Sequence, residues 1–397
     1  ALDMDAPVNF KRDGIDELIL ANANEGIHTA FPEADLLIRE EEFPIASNFR
    51  QPSSGVSFYH QSTWRTGRWT LTAGLRADWE HTAITYRNRA EINYRFTLTM
   101  PDYRPLAVEM EGSRSRSFLE VMPRASAMYD LGTVGNVYAS VSRGYKAGGY
   151  NTQIFSDIVQ NRMMNDMMAD LGIYFGDGQN YDIEKAISYE PERSWNWEVG
   201  GHFSGFDGRL SVDAALFWID CRNQQLTVFP PGRGTGRLMS NAGRTRSVGA
   251  EVTVTYSTGG LLLTGSYGHT DARFTEYNDG REDYSGGRVP YAPANTLSAR
   301  AQYTFALRGG RAGELTPGVG VQGVGRIVWS EANTISQPFY SLVSASVDWR
   351  RGDVGVSLWA RNITGADYNT FYFRSVGRSF VQRGKPLQAG IAISLTL

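Results

Sequence analysis

Strict alternation of apolar and polar residues over about a dozen positions is the feature that most limits how this chain folds. In Arg209–Asp220, apolar residues occupy every second position from Leu210 to Trp218, with Ser211 and Asp213 between them. A period of two marks a β-strand, but this strand is about twice as long as the usual strand of a globular protein. A long strand with one wholly apolar face suits a lipid bilayer, which about 9–11 tilted strand residues cross.

Other segments repeat this pattern, and short turns alternate with long loops between them. The predicted strands, besides the hairpin that runs from Glu190 to Asp220, are Val56–Trp64, Trp69–Glu80, Phe118–Leu131, Asn136–Gly144, Arg246–Tyr256, Leu261–Thr270, Asn295–Phe305, Leu315–Trp329, Ser341–Trp349, Asp353–Asn362 and Leu387–Leu397. Aromatic residues lie near both ends of these strands, as in the interfacial belts of membrane barrels. A soluble β-sandwich or propeller is the alternative, but it does not require belts at both strand ends. The pattern therefore predicts an all-β, transmembrane antiparallel barrel.

Composition narrows the function further. No run of 18 or more apolar residues predicts a transmembrane helix, and a net charge of −3 gives no reason to expect nucleic acid. The single cysteine, Cys221, rules out an internal disulfide. The five histidines form no ligand-spaced pair or cluster, and no nucleophile elbow or phosphate-binding loop is present. We therefore expect no enzymatic activity, no catalytic residue, no bound metal and no cofactor.

The pattern divides the chain at about residue 54. Residues 1–54 lack alternation and are predicted to form an extracellular loop region, with short helices at Gly14–Ala23 and Ala34–Glu42. Residues 55–397 are predicted to form barrel strands with long extracellular loops. About thirteen strands result, an odd number, whereas single-chain bacterial barrels have even numbers. The expectation is therefore that the chain is one part of a larger barrel.

Four motifs occur in a fixed order along the barrel strands. They are Val137–Asn151, which reads Val-Tyr-Ala-Ser-Val-Ser-Arg-Gly-Tyr-Lys-Ala-Gly-Gly-Tyr-Asn, then Tyr189–Gly200, Asn241–Glu251 and Leu358–Tyr368. This combination resembles the C-terminal barrel of TonB-dependent outer-membrane receptors of the siderophore-receptor type, from about Gly55 to the end. The terminal Leu397 departs from the Phe with which many members end.

The resemblance implies a 22-strand barrel, of which this chain holds about the last thirteen strands, with the plug domain and TonB box not in this chain. It implies residence in the outer membrane of a Gram-negative bacterium and uptake of a scarce nutrient, above all an iron–siderophore chelate. The implied partners are outer-membrane lipid, a small-molecule metal chelate, the TonB–ExbB–ExbD complex acting through the plug, and a plug and early strands in the same protein or a companion chain. Import of cobalamin or an oligosaccharide fits the same barrel. A passive porin or adhesin is the alternative of a different class.

The resemblance also directs attention to the outer ends of strands as ligand contacts. The candidates are Tyr145, Lys146, Tyr150, Asn151, Arg222, Asn223, Gln224, Gln225, Arg374 and Arg378. Arginines suit anionic catecholate or carboxylate chelates, and ordinary solvated loop polarity is the alternative for each residue. The methionines of Ser156–Leu171 are spaced for one side of a helix, so packing inside a loop is favoured over Cu(I) binding. Asn180, Asp182 and Glu184 carry alternating oxygen donors for Ca²⁺, but the rest of a calcium loop is missing.

Two structural predictions follow from the barrel. The lipid-facing side chains are predicted to be Leu71, Ala73, Leu75, Val212, Leu216, Val252, Val254, Ala389, Ile391 and Ile393. The lumen-facing ones are predicted to be Arg76, Glu198, Asp213, Glu251, Arg300 and Arg361. The strands Val56–Trp64 and Leu387–Leu397 are both expected to be sheet edges that do not pair with each other.

Overall fold

Long antiparallel strands form nearly the whole molecule. The structure, a computed structural model, describes residues 2–5, 8–11, 20–172, 186–228, 238–278, 282–375 and 378–396. Among these residues, no helix combines the length and the apolar character that crossing a membrane requires.

The N-terminal segment is richer in strands than its sequence predicts. Its elements are β1 (Leu2–Asp5), β2 (Val8–Lys11), helix α1 (Ala21–Ala30), β3 (Leu36–Ile38) and β4 (Glu42–Gln51). The predicted helix at Ala34–Glu42 is wrong, and most of Gly14–Ala23 lies outside the described residues. In β4, Phe43, Ile45, Ser47 and Phe49 are buried while the residues between them are exposed. Pro44 conceals this alternation in the sequence, because proline is disfavoured inside strands.

The next three strands include a hairpin that extends far beyond a membrane span. They are β5 (Ser53–Thr66), β6 (Trp69–Phe96) and β7 (Arg104–Asp130). The ladder between β6 and β7 continues unbroken from Trp69–Tyr129 to Tyr94–Arg104. The sequence predicts strands only at Trp69–Glu80 and Phe118–Leu131, with a loop between them; that loop is wrong, because residues 81–96 and 104–117 remain paired strand. β4 and β5 both pair with β6, one after the other.

The remaining elements follow in chain order. They are a 3-10 turn (Gly132–Val134), β8 (Gly135–Lys146), β9 (Gly149–Tyr150), helix α2 (Phe155–Asp170), β10 (Ser188–Tyr189), β11 (Glu192–Gly205), β12 (Leu210–Val228), β13 (Leu238–Thr258), β14 (Leu261–Glu276), β15 (Asn295–Tyr303), β16 (Phe305–Ala306), a 3-10 turn (Leu307–Gly310), β17 (Glu314–Val324), β18 (Ile327–Val328), β19 (Ser336–Gln337), β20 (Tyr340–Arg351), β21 (Val354–Arg361), β22 (Asn369–Ser375), β23 (Arg378–Arg383) and β24 (Gln388–Leu395).

One antiparallel meander carries the architecture. Its hydrogen-bonded order is β5, β6, β7, β8, β11, β12, β13, β14, β15, β17, β20, β21 and β24. β5 pairs with β6 and β24 pairs with β21, and no ladder joins β5 to β24 in the described parts of the chain. The all-β antiparallel prediction and the prediction of two unjoined edges are confirmed. We call the end with short connections the turn end and the other the loop end.

The two faces of the meander have opposite character. Leu71, Leu75, Leu216, Ile391 and Ile393 are strongly exposed on one face. Charged groups bond one another on the opposite face, where Arg76 Nε lies 2.7 Å from Asp78 Oδ1, and His202 Nδ1 lies 2.5 Å from Asp213 Oδ1. The hydroxyl of Tyr138 donates to Glu198 Oε1 at 2.7 Å, and Arg300 and Arg361 border one polar depression. The predicted separation of apolar and charged faces is confirmed for these residues.

The main apolar core lies at the loop end, outside the membrane-length part of the sheet. It joins α1, β3, β4 and the far halves of β6 and β7 to α2, and we call these elements the cap (residues 20–51, 83–112 and 150–172). Met163, Met167 and Met168 of α2 are buried in this core, and Phe155 packs against Tyr86 and Phe49. The predicted packing helix is therefore confirmed.

Candidate ligand-binding surface

A set of side-chain amides holds the connections of the loop end together. Gln225 Nε2 donates to the carbonyls of Ala147 and Glu190 at 2.7 and 3.1 Å. Asn241 Nδ2 donates to the carbonyls of Asn223 and Glu190 at 2.8 and 3.0 Å. These bonds tie β12 and β13 to the backbone that leaves β8 and to the backbone that enters β11, so we call this group the amide clasp.

Asn151 completes the amide clasp on its far side. Its amide nitrogen donates to the Met239 carbonyl at 2.9 Å, and its amide oxygen accepts from the Met239 N–H at 2.7 Å. Asn151 and Gln225 are each only 8% exposed. Both were predicted as ligand contacts, and both amides are already engaged with backbone groups, as buried polar groups require.

The other predicted contacts fall into three environments. Tyr145 is half-buried and donates to Glu80 Oε2 at 3.0 Å, while Tyr150 is buried in the cap core. Lys146, Arg222 and Arg378 are exposed. Asn223 and Gln224 are half-buried, and Arg374 lies in β22 opposite Ser379. The clasp brings the candidates of residues 145–151 and 222–225 together, and no described contact joins them to Arg374 or Arg378.

Glu120 organises the charged groups next to the clasp. Its carboxylate is 3% exposed and accepts from Arg143 Nη2 at 2.9 Å and from Arg193 Nε at 2.7 Å. Arg143 also donates to the Val121 carbonyl at 2.8 Å. One buried carboxylate thus links β7, β8 and β11. These links are strong, because hydrogen bonds to ionised groups are about twice as strong as those between neutral groups.

A row of aromatic rings forms where three loop-end connections meet. Tyr291 stacks on Phe371 with ring centroids 5.5 Å apart, Phe371 lies 5.7 Å from Phe373, and Phe373 stacks on Phe380 at 4.9 Å. Trp329 contacts Tyr291 at 5.4 Å and is buried, whereas Phe380 at the opposite end is 45% exposed. We call these five rings the aromatic row.

The aromatic row is held in place by backbone contacts. Tyr291 has a φ of +63°, which bulky residues rarely adopt. Its N–H donates to the Val328 carbonyl at 2.9 Å, and its hydroxyl donates to the Tyr372 carbonyl at 2.6 Å. Strained conformations persist where surrounding contacts fix them, often at binding sites. Such a row offers flat apolar surface that a ring-bearing molecule can contact.

Sequence reasoning missed the aromatic row. Phe371 and Phe373 alternate in β22 and Phe380 follows in β23, so a hairpin signal was present between Asn369 and Arg383. Nothing local to Tyr291 or Trp329 indicates that they join this hairpin, since they belong to other connections.

Asp271 forms ion pairs with two arginines at the loop end. It lies in the loop-end part of β14 and contacts Arg273 Nε at 2.9 Å and Arg288 Nη2 at 3.3 Å. The hydrogen bond from Arg273, aided by the charges of Arg273 and Arg288, lowers the pKa of the Asp271 carboxyl. The carboxylate therefore stays ionised in mild acid and fixes both arginines.

The described ranges contain no cluster of three or more His, Cys, Asp or Glu side chains arranged to hold a metal ion. Asn180, Asp182 and Glu184, the candidate Ca²⁺ donors, lie outside the described residues.

Comparison with known proteins identifies the architecture. The family model described as "TonB dependent receptor-like, beta-barrel" matches residues 24–363. The chain belongs to this family. It forms part of a TonB-dependent receptor barrel in the outer membrane of a Gram-negative bacterium. The family resemblance seen in the motifs is therefore confirmed.

Relatives of the receptor barrel are found in both sequence and structure. The chain is 23% identical to the pesticin receptor of Yersinia enterocolitica over 273 residues, which cover 68% of this chain and 35% of that protein. It is 27% identical to the ferrioxamine B receptor of Salmonella typhimurium over 171 residues, 42% of this chain and 23% of that protein. The ferric yersiniabactin uptake receptor of Yersinia pestis shares the fold with a TM-score of 0.63 at 19% identity, covering 91% of this chain and 51% of that one. The chain thus spans about a third of the length of the pesticin receptor.

Proposed function

We propose that the complete protein is a TonB-dependent importer of an iron–siderophore chelate. The observation that carries this proposal is the family match over residues 24–363. The names of the relatives, which are receptors for ferrioxamine B and ferric yersiniabactin, support an iron chelate as cargo.

The proposed complete barrel has 22 strands and encloses a plug, and this chain supplies a run of its wall. Energy reaches the plug from the TonB–ExbB–ExbD complex. The barrel wall performs no bond chemistry in this scheme. It supplies a fixed mouth for the chelate at the loop end, which faces the cell exterior, and a polar inner face along which the chelate passes.

The proposed contacts with the chelate are exposed cations and the aromatic row. Lys146, Arg222 and Arg378 present positive charge that attracts an anionic chelate. Phe380 and Tyr291 present partly exposed rings on which a planar chelating group stacks. Asn151 and Gln225 act indirectly, because the amide clasp sets the positions of the segments that carry Lys146 and Arg222.

Binding measurements on the full-length receptor test the cargo. Titration with ferric siderophores, cobalamin and oligosaccharides, followed by intrinsic fluorescence, should show micromolar or tighter binding of at least one ferric chelate. Binding of cobalamin or a glycan with no response to any ferric chelate would overturn the iron assignment.

Uptake of radioactive iron chelate by cells separates an importer from a passive barrel. Uptake by the importer requires TonB, whereas binding at the cell surface does not. Uptake that persists in cells without TonB would favour a porin, and surface attachment without any uptake would favour an adhesin.

A pair of phenylalanine variants tests the aromatic row. Phe380→Ala should weaken chelate binding about fivefold or more, since truncating a ring that carries binding energy costs over ~1 kcal/mol. Phe305→Ala removes an equally exposed ring at the turn end and should leave binding unchanged. Equal affinity of both variants and the parent would exclude the row from the binding surface.

A further inference from the structure

An apolar groove crosses the outward face of the receptor barrel. It has a volume of about 500 Å³ and runs across β13, β14, β15, β17 and β20. The ridges are formed mainly by Val254, Tyr256, Leu263, Val319 and Val343, and small residues such as Ala301 lie between them. The register places Val254 beside Gly265 and Leu263 beside Ala301, on the face that carries the exposed apolar side chains.

Gly265 leaves the floor of this groove open. A Cβ added at Gly265 would meet no atom within 4 Å. Most glycines inside the long strands instead lie against a neighbour, as Gly249 does, where a Cβ would come 2.3 Å from the Phe217 ring. The absence of a side chain at Gly265 therefore leaves space that nothing in the described chain fills.

The groove lies at the depth of one membrane leaflet from the turn end. Along β17, Val319 lies about 17 Å from Glu314 at the turn, at ~3.4 Å per residue. With strands tilted by about 40°, this corresponds to ~13 Å of depth, close to half of the ~30 Å hydrocarbon layer. Tyr303, Phe305 and Trp349 mark the interface between groove and turns.

Three arginines lie on the turns below the groove. Arg308 and Arg311 belong to the turn before β17 and Arg351 to the turn after β20, and all three are exposed, whereas Arg350 lies opposite Glu314 in the ladder, on the charged face. Within the described residues their guanidinium groups form no ion pair at 4.0 Å or less, although the carboxylates of Glu314 and Asp353 lie on the same turns. Guanidinium groups match phosphate geometry, and each basic residue near an anionic membrane surface contributes attraction.

We propose that this part of the wall is a binding site for an anionic phospholipid of the periplasmic leaflet. One acyl chain lies in the groove over Gly265, and the phosphate contacts the arginines of the two turns. The site holds a lipid rather than a free phosphate, because the groove is apolar and lies between the interfacial aromatics and the middle of the membrane.

Native mass spectrometry of the full-length protein tests the site. The protein is reconstituted in mixed vesicles of phosphatidylglycerol and phosphatidylethanolamine, and the lipid that remains bound after extraction is identified. The parent should retain one phosphatidylglycerol in preference to phosphatidylethanolamine. Arg308→Gln and Arg311→Gln should each lower that preference about fivefold, which corresponds to ~1 kcal/mol. Arg68→Gln changes an exposed arginine on the turn between β5 and β6 and should have no effect.

A second pair of variants tests the groove itself. Gly265→Leu should fill the floor and lower phosphatidylglycerol retention, whereas Gly265→Ala should leave it unchanged, and both should fold because the site is open. Equal retention in the parent and all variants would mean ordinary boundary lipid only and would overturn the proposal. If the arginine variants retain less phosphatidylglycerol but Gly265→Leu retains as much as the parent, the groove is not the acyl-chain site. A dimer that Gly265→Leu dissociates would identify a second copy of the chain as the occupant and would also overturn the proposal.

Discussion

At the scale of single residues, the loop end depends on a few buried polar groups that join distant strands. Glu120 is the clearest, because its carboxylate accepts from Arg143 and Arg193, which belong to two other strands. A buried acceptor that serves two charged donors costs more to remove than an exposed ion pair.

We expect Glu120→Gln to lower the free energy of unfolding by about 2 kcal/mol, since two charge-assisted bonds weaken at a buried position. Urea unfolding in lipid vesicles measures this change. Glu109→Gln is the matched control on the same strand: Glu109 pairs with Arg87 at 2.7 Å, but both groups are largely exposed. Its loss should cost about 0.5 kcal/mol or less. Equal effects of the two variants would contradict the structural role given to Glu120.

Tyr94 makes the cap sensitive to alkaline pH. Burial, together with the hydrogen bond that its hydroxyl donates to Asp170, raises the pKa of Tyr94 to about 12. The folded state therefore favours the neutral phenol. This stabilisation is complete below the ordinary pKa of about 10 and is lost as pH rises from about 10 towards 12.

The test compares cap stability as a function of pH in the parent and in Tyr94→Phe. Protease cleavage between residues 83 and 112 measures that stability. The parent should loosen between about pH 10 and 12, and Tyr94→Phe should lack that step. Tyr103→Phe, which removes an exposed hydroxyl from the same hairpin, should behave like the parent. If the loosening between pH 10 and 12 persists in Tyr94→Phe, another titrating group causes it.

At the scale of elements, α2 and the far halves of β6 and β7 form a packed layer outside the membrane-length strands. The helix has no side-chain cap at its N-terminus, so its stability comes from burial of its apolar face rather than from local signals. Truncation of a buried side chain should therefore release the whole helix from the strands.

We expect Met167→Ala to destabilise the cap by about 2–4 kcal/mol, because Met167 is 2% exposed and its truncation leaves a cavity. Hydrogen exchange of residues 155–171 should become faster, while exchange in the membrane part of β6 should not change. Asn165→Ala alters an exposed position of the same helix and is the control. Equal acceleration in the membrane part would show that the cap and the barrel open together.

At the scale of the whole molecule, the opposite character of the two faces of the sheet decides which face meets lipid. Leu216 and Ala215 are neighbours in β12, but Ala215 pairs with Glu251 on the charged face, whereas Leu216 is on the apolar face. One substitution made at both positions therefore reports on the two environments.

Leu216→Arg should lower stability in vesicles by about 2–4 kcal/mol, because it puts a guanidinium near the middle of the hydrocarbon layer. Ala215→Arg should cost much less, since its charge faces Glu251 and water. Urea unfolding of the full-length protein compares the two variants. A greater loss from Ala215→Arg would reverse the assignment of faces.

Alternation by itself determined the strands, their faces and the antiparallel meander, because a strand's period of two is a local property that lipid on one side and water on the other select. The motif order likewise identified the receptor family. Alternation also runs through β4 and the far halves of β6 and β7, but mixed polarity and Pro44 hid it, since these strands bury one face against a helix rather than in lipid. Only the tertiary structure decided what the loop-end residues contact. Asn151 and Met239, or Tyr291 and Phe371, meet through backbone and ring contacts between connections far apart in the chain, and no local pattern encodes such contacts. For the same reason the sequence, which predicts Asn151 and Gln225 as ligand contacts, could not show that the fold buries both in the amide clasp.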